Sequence, residues 1–234
     1  CLLVITSDKG RAGAFNGNVL KKANEWIMKK EKAGEQYTIV AVGKKAKEHF
    51  ERRGHAIEGS FTGFGDYSTF EQTFPVADAL IHGFVYEKWD LVEAIYTNFR
   101  STLAQETALK KILPATGESI EEAVRGILPE RGRFSESKPA HRKPQIAHYS
   151  YEYIFEPSAE EILAELVPQL LKAHIHHIIL ESNASEHSAR MIAMKNASEN
   201  ARDLITSLTF EYNKSRQAGI TRELIEITSG NLEK

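Results

Sequence analysis

The spacing of apolar residues divides the chain in two. Up to about residue 116 the pattern switches between two periods. Leu2-Leu3-Val4-Ile5 is a continuous, partly β-branched apolar run, the pattern of a strand covered on both faces. Asn16–Lys32 then places Val19, Leu20, Ala23, Trp26 and Ile27 at helical spacing. Tyr37–Val42 predicts a second buried strand ending at Gly43, and Lys44–Arg53 a charged helix closed by Gly54. Ala56–Phe61 predicts a third strand. Pro75–Lys88 predicts a helix with Val76, Ala79, Leu80, Gly83 and Phe84 inward. Leu91–Phe99 and Thr102–Ile112 read as further strands, and Tyr149, Tyr151, Tyr153 and Phe155 alternate in a final edge-like one. This rhythm implies an α/β fold with a mostly parallel sheet and helices on its faces.

From Ser158 to Gly230 the pattern changes to a single period. The stretch predicts one helix of roughly 70 residues, a rod of about 105 Å at 1.5 Å per residue. A chain of 234 residues folds to a body whose radius of gyration is only about 17–18 Å, so the rod calls for cover from outside its own domain. Ser158 and Glu161 fit a capping box, and the acids of the first turn suit the helix dipole. Pro168 lies inside the pattern and predicts a kink. Beyond it Met191, Met194, Ala201, Ile205, Leu208 and Tyr212 fall at alternating three- and four-residue steps with Ser198, and Ile220, Leu224 and Ile227 continue the seam in a shifted phase. That seam is the a/d stripe of a coiled coil, narrow and rich in small residues. The opposite face carries Arg190, Lys195, Glu199, Arg202, Asp203, Glu211, Lys214, Arg216, Arg222 and Glu223. The domains read as 1–157 for the α/β part and 158–234 for the helix.

Composition narrows the classes. The formal net charge is −2, and no basic excess argues for nucleic acid. No run of 18 apolar residues occurs, so membrane attachment goes through partners. The single Cys1 leaves no internal disulfide framework and fits a reducing compartment. No signal or transit peptide is visible ahead of the first strand. Residues 125–148 mix Pro129, Pro139 and Pro144 with Arg131, Arg133, Lys138, Arg142 and Lys143, which reads as an exposed, mobile loop before it reads as a basic patch for an acidic partner.

Candidate chemistry is sparse. Ser7–Asn16 follows a strand and precedes a helix, where a phosphate turn could sit. Yet Gly10-x-x-Gly13 is neither G-x-G-x-x-G nor a P-loop, so its glycines read as steric. His174, His176 and His177 invite a metal, but without carboxylate or Cys at supporting spacing they read as interface or solvent-facing histidines. Glu181, Glu186 and Glu199 read as helix-surface partners for Arg190 and Arg202. No nucleophile–base constellation has supporting context, so neither catalytic residue, cofactor nor metal ligand is assigned. Arg216, Gln217 and Thr221 differ from these. They cluster near the helix end among apolar neighbours, where a plain coiled coil would leave their donors and acceptors poorly used.

Three stretches carry a family resemblance. Ala184-Ser185-Glu186-His187-Ser188-Ala189-Arg190-Met191-Ile192-Ala193-Met194-Lys195-Asn196-Ala197 is similar to the A-S-E-x-x-A-R-M-x-A-M-K-x-A run of the gamma subunit of F-type ATP synthases. Tyr212-Asn213-Lys214-Ser215-Arg216-Gln217-Ala218-Gly219-Ile220-Thr221-Arg222-Glu223-Leu224-Ile225-Glu226-Ile227 resembles that family's terminal run. Ile5-Thr6-Ser7-Asp8-Lys9-Gly10-Arg11-Ala12-Gly13-Ala14-Phe15-Asn16 resembles its first strand and turn. The resemblance covers nearly the whole chain, most weakly from about 123 to 149.

The resemblance implies a Rossmann-like central domain without a nucleotide site, and a C-terminal helix forming half of an antiparallel coiled coil. The other half is the family's N-terminal helix, which is absent from this sequence. It implies a non-catalytic central-stalk rotor, coupling ion-driven rotation of the c-ring to ATP synthesis or hydrolysis. The partners it implies are the alternating alpha/beta hexamer, the epsilon subunit and the c-ring. Arg216, Gln217 and Thr221 match residues that contact loops of the catalytic beta subunits. Gly219 departs from the larger residue usual at its position. The long loop-bearing domain and the lack of the redox dithiol insert of chloroplast members favour the cytoplasmic face of a bacterial plasma membrane over an organelle, the mitochondrial matrix side included. The alternatives are a scaffold with a helical arm in another assembly and a nucleotide-binding enzyme built on Ser7–Asn16.

Overall fold

A computed structural model describes residues 1–64, 68–115, 156 and 158–230. The expected strand at Tyr149–Phe155 and the expected loop at 125–148 lie outside the described residues. Five strands form one sheet: β1 (Leu2–Ile5), β2 (Ile39–Val42), β3 (Ile57–Phe61), β4 (Val92–Phe99) and β5 (Gln105–Leu113). Their order is β3-β2-β1-β4-β5. The first four run parallel, and β5 pairs antiparallel with β4. Among the described residues four helices accompany them: α1 (Phe15–Ala33), α2 (Lys44–Arg52), α3 (Phe70–Val85) and α4 (Ala159–Gly230). This is the Rossmann-like arrangement that the resemblance implies.

The period of two along each strand sorts the core into two layers. Leu2, Val4, Ile39, Ala41 and Ile95 face α1 and α2, where Val19, Ala23, Trp26, Ile27 and Phe50 meet them. Leu3, Ile5, Val40, Val42, Ala94 and Tyr96 face the other way, toward Val76, Ala77 and Leu80 of α3. Leu171, Ile175, Ile178 and Ile179 of α4 complete that second layer. Contacts group residues 1–189 in one compact unit and 190–234 in another, so the first part of α4 packs with the α/β domain. The reason is local: α4 carries a wide apolar face of Leu and Ile before residue 180 and only a narrow stripe after 190, and only the wide face roofs the sheet.

Two boundaries moved for reasons that sequence spacing could have supplied. The helix expected from Pro75 starts at Phe70, because Thr69 and Gln72 form a capping box. Pro75 therefore sits inside α3. The strand expected from Thr102 begins at Gln105, after a turn in which Ala104 N donates to Ser101 O at 3.2 Å. At the start of α4, Glu161 N donates to Ser158 Oγ at 3.2 Å, and the helix is continuous through Pro168. Gly43, between β2 and α2, has φ 90°, and a Cβ there would meet Thr6 O at 2.2 Å.

Candidate partner-binding helix

Residues 190–229 of α4 are almost wholly exposed. The large seam residues Met191, Met194, Ile205, Leu208, Tyr212, Ile220, Leu224 and Ile227 expose between 48% (Ile220) and 67% (Tyr212) of their surface. Ala201 is exposed as well. Leu204, Phe210 and Ile225 add three large apolar side chains that the seam reading passed over. The signal for the first was present, since Leu204 and Leu208 are four apart and share a face. Isolated apolar side chains on a surface are ordinary, but a contiguous series of this size marks a place where another molecule binds.

Arg216, Gln217 and Thr221 lie within this exposed segment. Thr221 Oγ1 donates to the carbonyl of Gln217 at 2.9 Å, so its hydroxyl is held against the helix and its lone pairs still face outward. Nothing lies within 4 Å of where a Cβ on Gly219 would stand. Glu199, expected to meet Arg202, lies 3.9 Å from Lys195 Nζ one turn earlier.

The histidines settle differently from a metal site. His174 and His176 are buried under the sheet layer rather than facing solvent. His176 Nδ1 lies 2.9 Å from Thr73 Oγ1, and its ring stacks on Phe70 at 3.9 Å between centroids. His177 Nε2 lies 3.3 Å from Glu181 Oε1, though without the alignment of a hydrogen bond. Glu181 thus approaches a histidine and not the expected arginine. Burial pushes His174 down to about 4, helped by Lys110 and His177 and opposed by Glu181. Among the described residues no three metal-binding side chains converge.

The turn after β1 is built to hold itself together. Asn16 Oδ1 accepts from Ser7 N at 3.0 Å, and Asn16 Nδ2 donates to Ser7 Oγ at 2.9 Å. Asp8 accepts from Lys44 N at 2.7 Å and from Gly63 N at 2.8 Å, so a carboxylate of the chain itself sits at the N-terminus of α2, where a phosphate could otherwise bind. Strand order reverses between β1 and β4, where open α/β sheets take their ligands. Beside that point, at the ends of β1 and β2, Asn183, Glu186 and His187 stand with Thr6, Ser7, Asp8 and Val42 around a cavity of about 30 Å³. That space holds about one water molecule, far below the roughly 300 Å³ of a small-molecule site.

An α/β domain continued into a long helix with an exposed apolar stripe defines a subunit of a larger assembly. Comparison with known proteins gives the same class a family. A sequence model of the family described as ATP synthase matches residues 1–231. The ATP synthase gamma chain of Trichormus variabilis is 39% identical over 231 residues, covering 98% of this chain and 73% of the relative. That of Chloroflexus aurantiacus is 36% identical over 229 residues, covering 98% and 70%. The chain belongs to the ATP synthase gamma chain family. Its fold is also that of a chain in the Euglena gracilis mitochondrial ATP synthase, with a TM-score of 0.63 and 20% identity over 97% of this chain and 70% of that one. A chain of the Tetrahymena thermophila mitochondrial ATP synthase central stalk and c-ring gives 0.57 and 21% identity, over 84% and 75%.

Proposed function

We propose that this chain is a non-catalytic rotor that transmits rotation between a c-ring and the catalytic sites of an alternating alpha/beta hexamer. The observation that carries the proposal is the uncovered apolar stripe on residues 190–229. The family's N-terminal helix pairs antiparallel with that stripe, and the resulting coiled coil enters the hexamer. Each beta subunit then meets a different side of an asymmetric shaft. Differential contact in each rotational state is what biases the three sites. Arg216, Gln217 and Thr221 supply polar contacts to beta-subunit loops near the free end. The α/β domain meets the epsilon subunit and the c-ring, and holds the chain peripherally at the cytoplasmic face of a bacterial plasma membrane. No described helix is long and apolar enough to cross a membrane, so attachment runs through those partners.

Reconstitution with alpha and beta subunits tests this reading. The chain, paired with a gamma-family N-terminal helix, is expected to enter the hexamer in one copy and to restore ATP hydrolysis. Failure to join the hexamer would return the chain to the class of scaffolds with a helical arm.

A further inference from the structure

The apolar face of α4 does not by itself fix where α4 sits along α3. Val167, Leu171, Ile175 and Ile179 recur every four residues. A slide of four residues, about 6 Å, lays Val167, Leu171 and Ile175 where Leu171, Ile175 and Ile179 were. Apolar burial is non-directional and scales with area, so along that row the slide costs little, and within the layer it is Ile178 that gives its place to His174.

Three polar pairs behave differently. Lys172 Nζ lies 2.7 Å from Asp78 Oδ1 and 5.6 Å above the Phe74 ring. His176 bonds Thr73 at 2.9 Å and stacks on Phe70. Asn183 Nδ2 donates to Ser68 Oγ at 2.7 Å. Residues 172, 176 and 183 fall within a stripe of roughly 40° on α4, at 100° per residue. Their partners at 78, 73 and 68 descend α3 and the residues before it in the opposite direction. A slide of one turn either way breaks all three pairs together. In one direction Pro168, Lys172 and Ile179 face Asp78, Thr73 and Ser68; in the other, His176, Leu180 and His187 do. Each alternative sets an apolar side chain against a hydroxyl, and one sets Pro168 against a carboxylate. Thr73 and His176 are buried, so their misplacement leaves polar groups without partners, the costly case. The Asp78–Lys172 pair is half exposed and contributes less.

We propose that Asp78–Lys172, Thr73–His176 and Ser68–Asn183 form a register latch that fixes α4 on the α/β domain, making them positioning residues for torque transfer. This rests on the rotor reading above. A rotor transmits only what its shaft helix cannot lose by slipping in its seat, and the latch adds to the discrimination that the apolar layer gives only through Ile178.

The test uses the full-length chain assembled in a vesicle-embedded ATP synthase. The variants are Thr73→Val with Ser68→Ala, Asp78→Lys, and the charge swap Asp78→Lys with Lys172→Asp. Four quantities are read: assembly with the hexamer, ATP hydrolysis rate, ions pumped per ATP hydrolysed, and amide exchange across residues 171–185. Assembly and hydrolysis are expected to hold while pumping per ATP falls. Exchange should rise about five-fold for each pair lost in the first variant and by less in Asp78→Lys, where the charge swap should restore both pumping and exchange. Unchanged pumping and exchange in the first two variants overturn the latch. If Thr73→Val with Ser68→Ala does not fold, the charge reversal and its swap decide alone. An unmodified chain that never joins the hexamer overturns the rotor reading instead, and amide exchange still judges the latch.

Discussion

The two stretches of α4 use the same helix in opposite ways. Residues before 190 bury Leu171, Ile175, Ile178 and Ile179 in the domain core, while residues 190–229 leave theirs uncovered. The hydroxyls follow the same division. In the first stretch Ser185 Oγ reaches across to the Thr97 carbonyl of β4 at 3.2 Å. In the second, Thr206, Thr209 and Thr228 donate back to carbonyls of their own helix, at 3.0, 2.7 and 3.0 Å. Helix formation is therefore continuous while burial is not. Most helix stability in proteins comes from packing, so the second stretch depends on a partner for what the first obtains from the sheet.

Substitutions can break or sharpen that contrast. The largest effect is expected at Gly43→Ala, because φ 90° and a Cβ 2.2 Å from Thr6 O leave no room to adjust; a loss above about 4 kcal/mol, read by urea unfolding, fits this mechanism. Next, Ile175→Ala in the buried stretch should cost about 2–5 kcal/mol. Leu208→Ala in the exposed stretch should change the stability of the chain by less than about 0.5 kcal/mol yet weaken entry into the hexamer. Equal losses at the two sites would erase the distinction.

The third effect depends on pH. His174 in the folded chain titrates near 4, below its unfolded value of 6.5. Between those values the unfolded chain binds the extra proton. Stability is therefore complete above about pH 6.5 and falls as pH drops toward 4, with a slope of up to about 1.4 kcal/mol per pH unit from this group. Burial lowers His176 as well, with His177 contributing, which steepens the same limb. His174→Gln should flatten it in unfolding curves taken from pH 7 to 4. Arg216→Ala and Gln217→Ala should leave unfolding unchanged and weaken hydrolysis or assembly. Normal ATP synthesis and hydrolysis in both would remove their contact role. Gly219→Ala acts in the opposite direction: open space and helix propensity together predict a gain of about 1 kcal/mol, visible as added helicity at elevated temperature.

Much of this was legible in the residues. The runs Leu2–Ile5 and Tyr37–Val42 could only be buried strands, because a continuous apolar run has no polar side to show water. The exposed stripe from Met191 to Ile227 was legible for the converse reason: its period is helical on both sides of one shift in phase, and the charged residues between its members leave it too narrow to pack on a sheet. Sequence spacing did not reveal that His174 and His176 are buried, since a histidine carries no local mark of burial. Nor did it reveal that Glu181 meets His177 and Glu199 meets Lys195, because neighbours on a helix surface compete at similar distances.

By itself, then, the sequence determined the element types, the family and the stretch of helix that lacks cover, since each depends on local period or on residues read in order. Tertiary structure alone decided how far along α4 the buried stretch runs, that the Asp8 carboxylate sits at the N-terminus of α2, and which polar pairs hold α4 in register on α3. Those depend on residues as far apart as Ser68 and Asn183, whose meeting no local pattern encodes and only the packed sheet enforces.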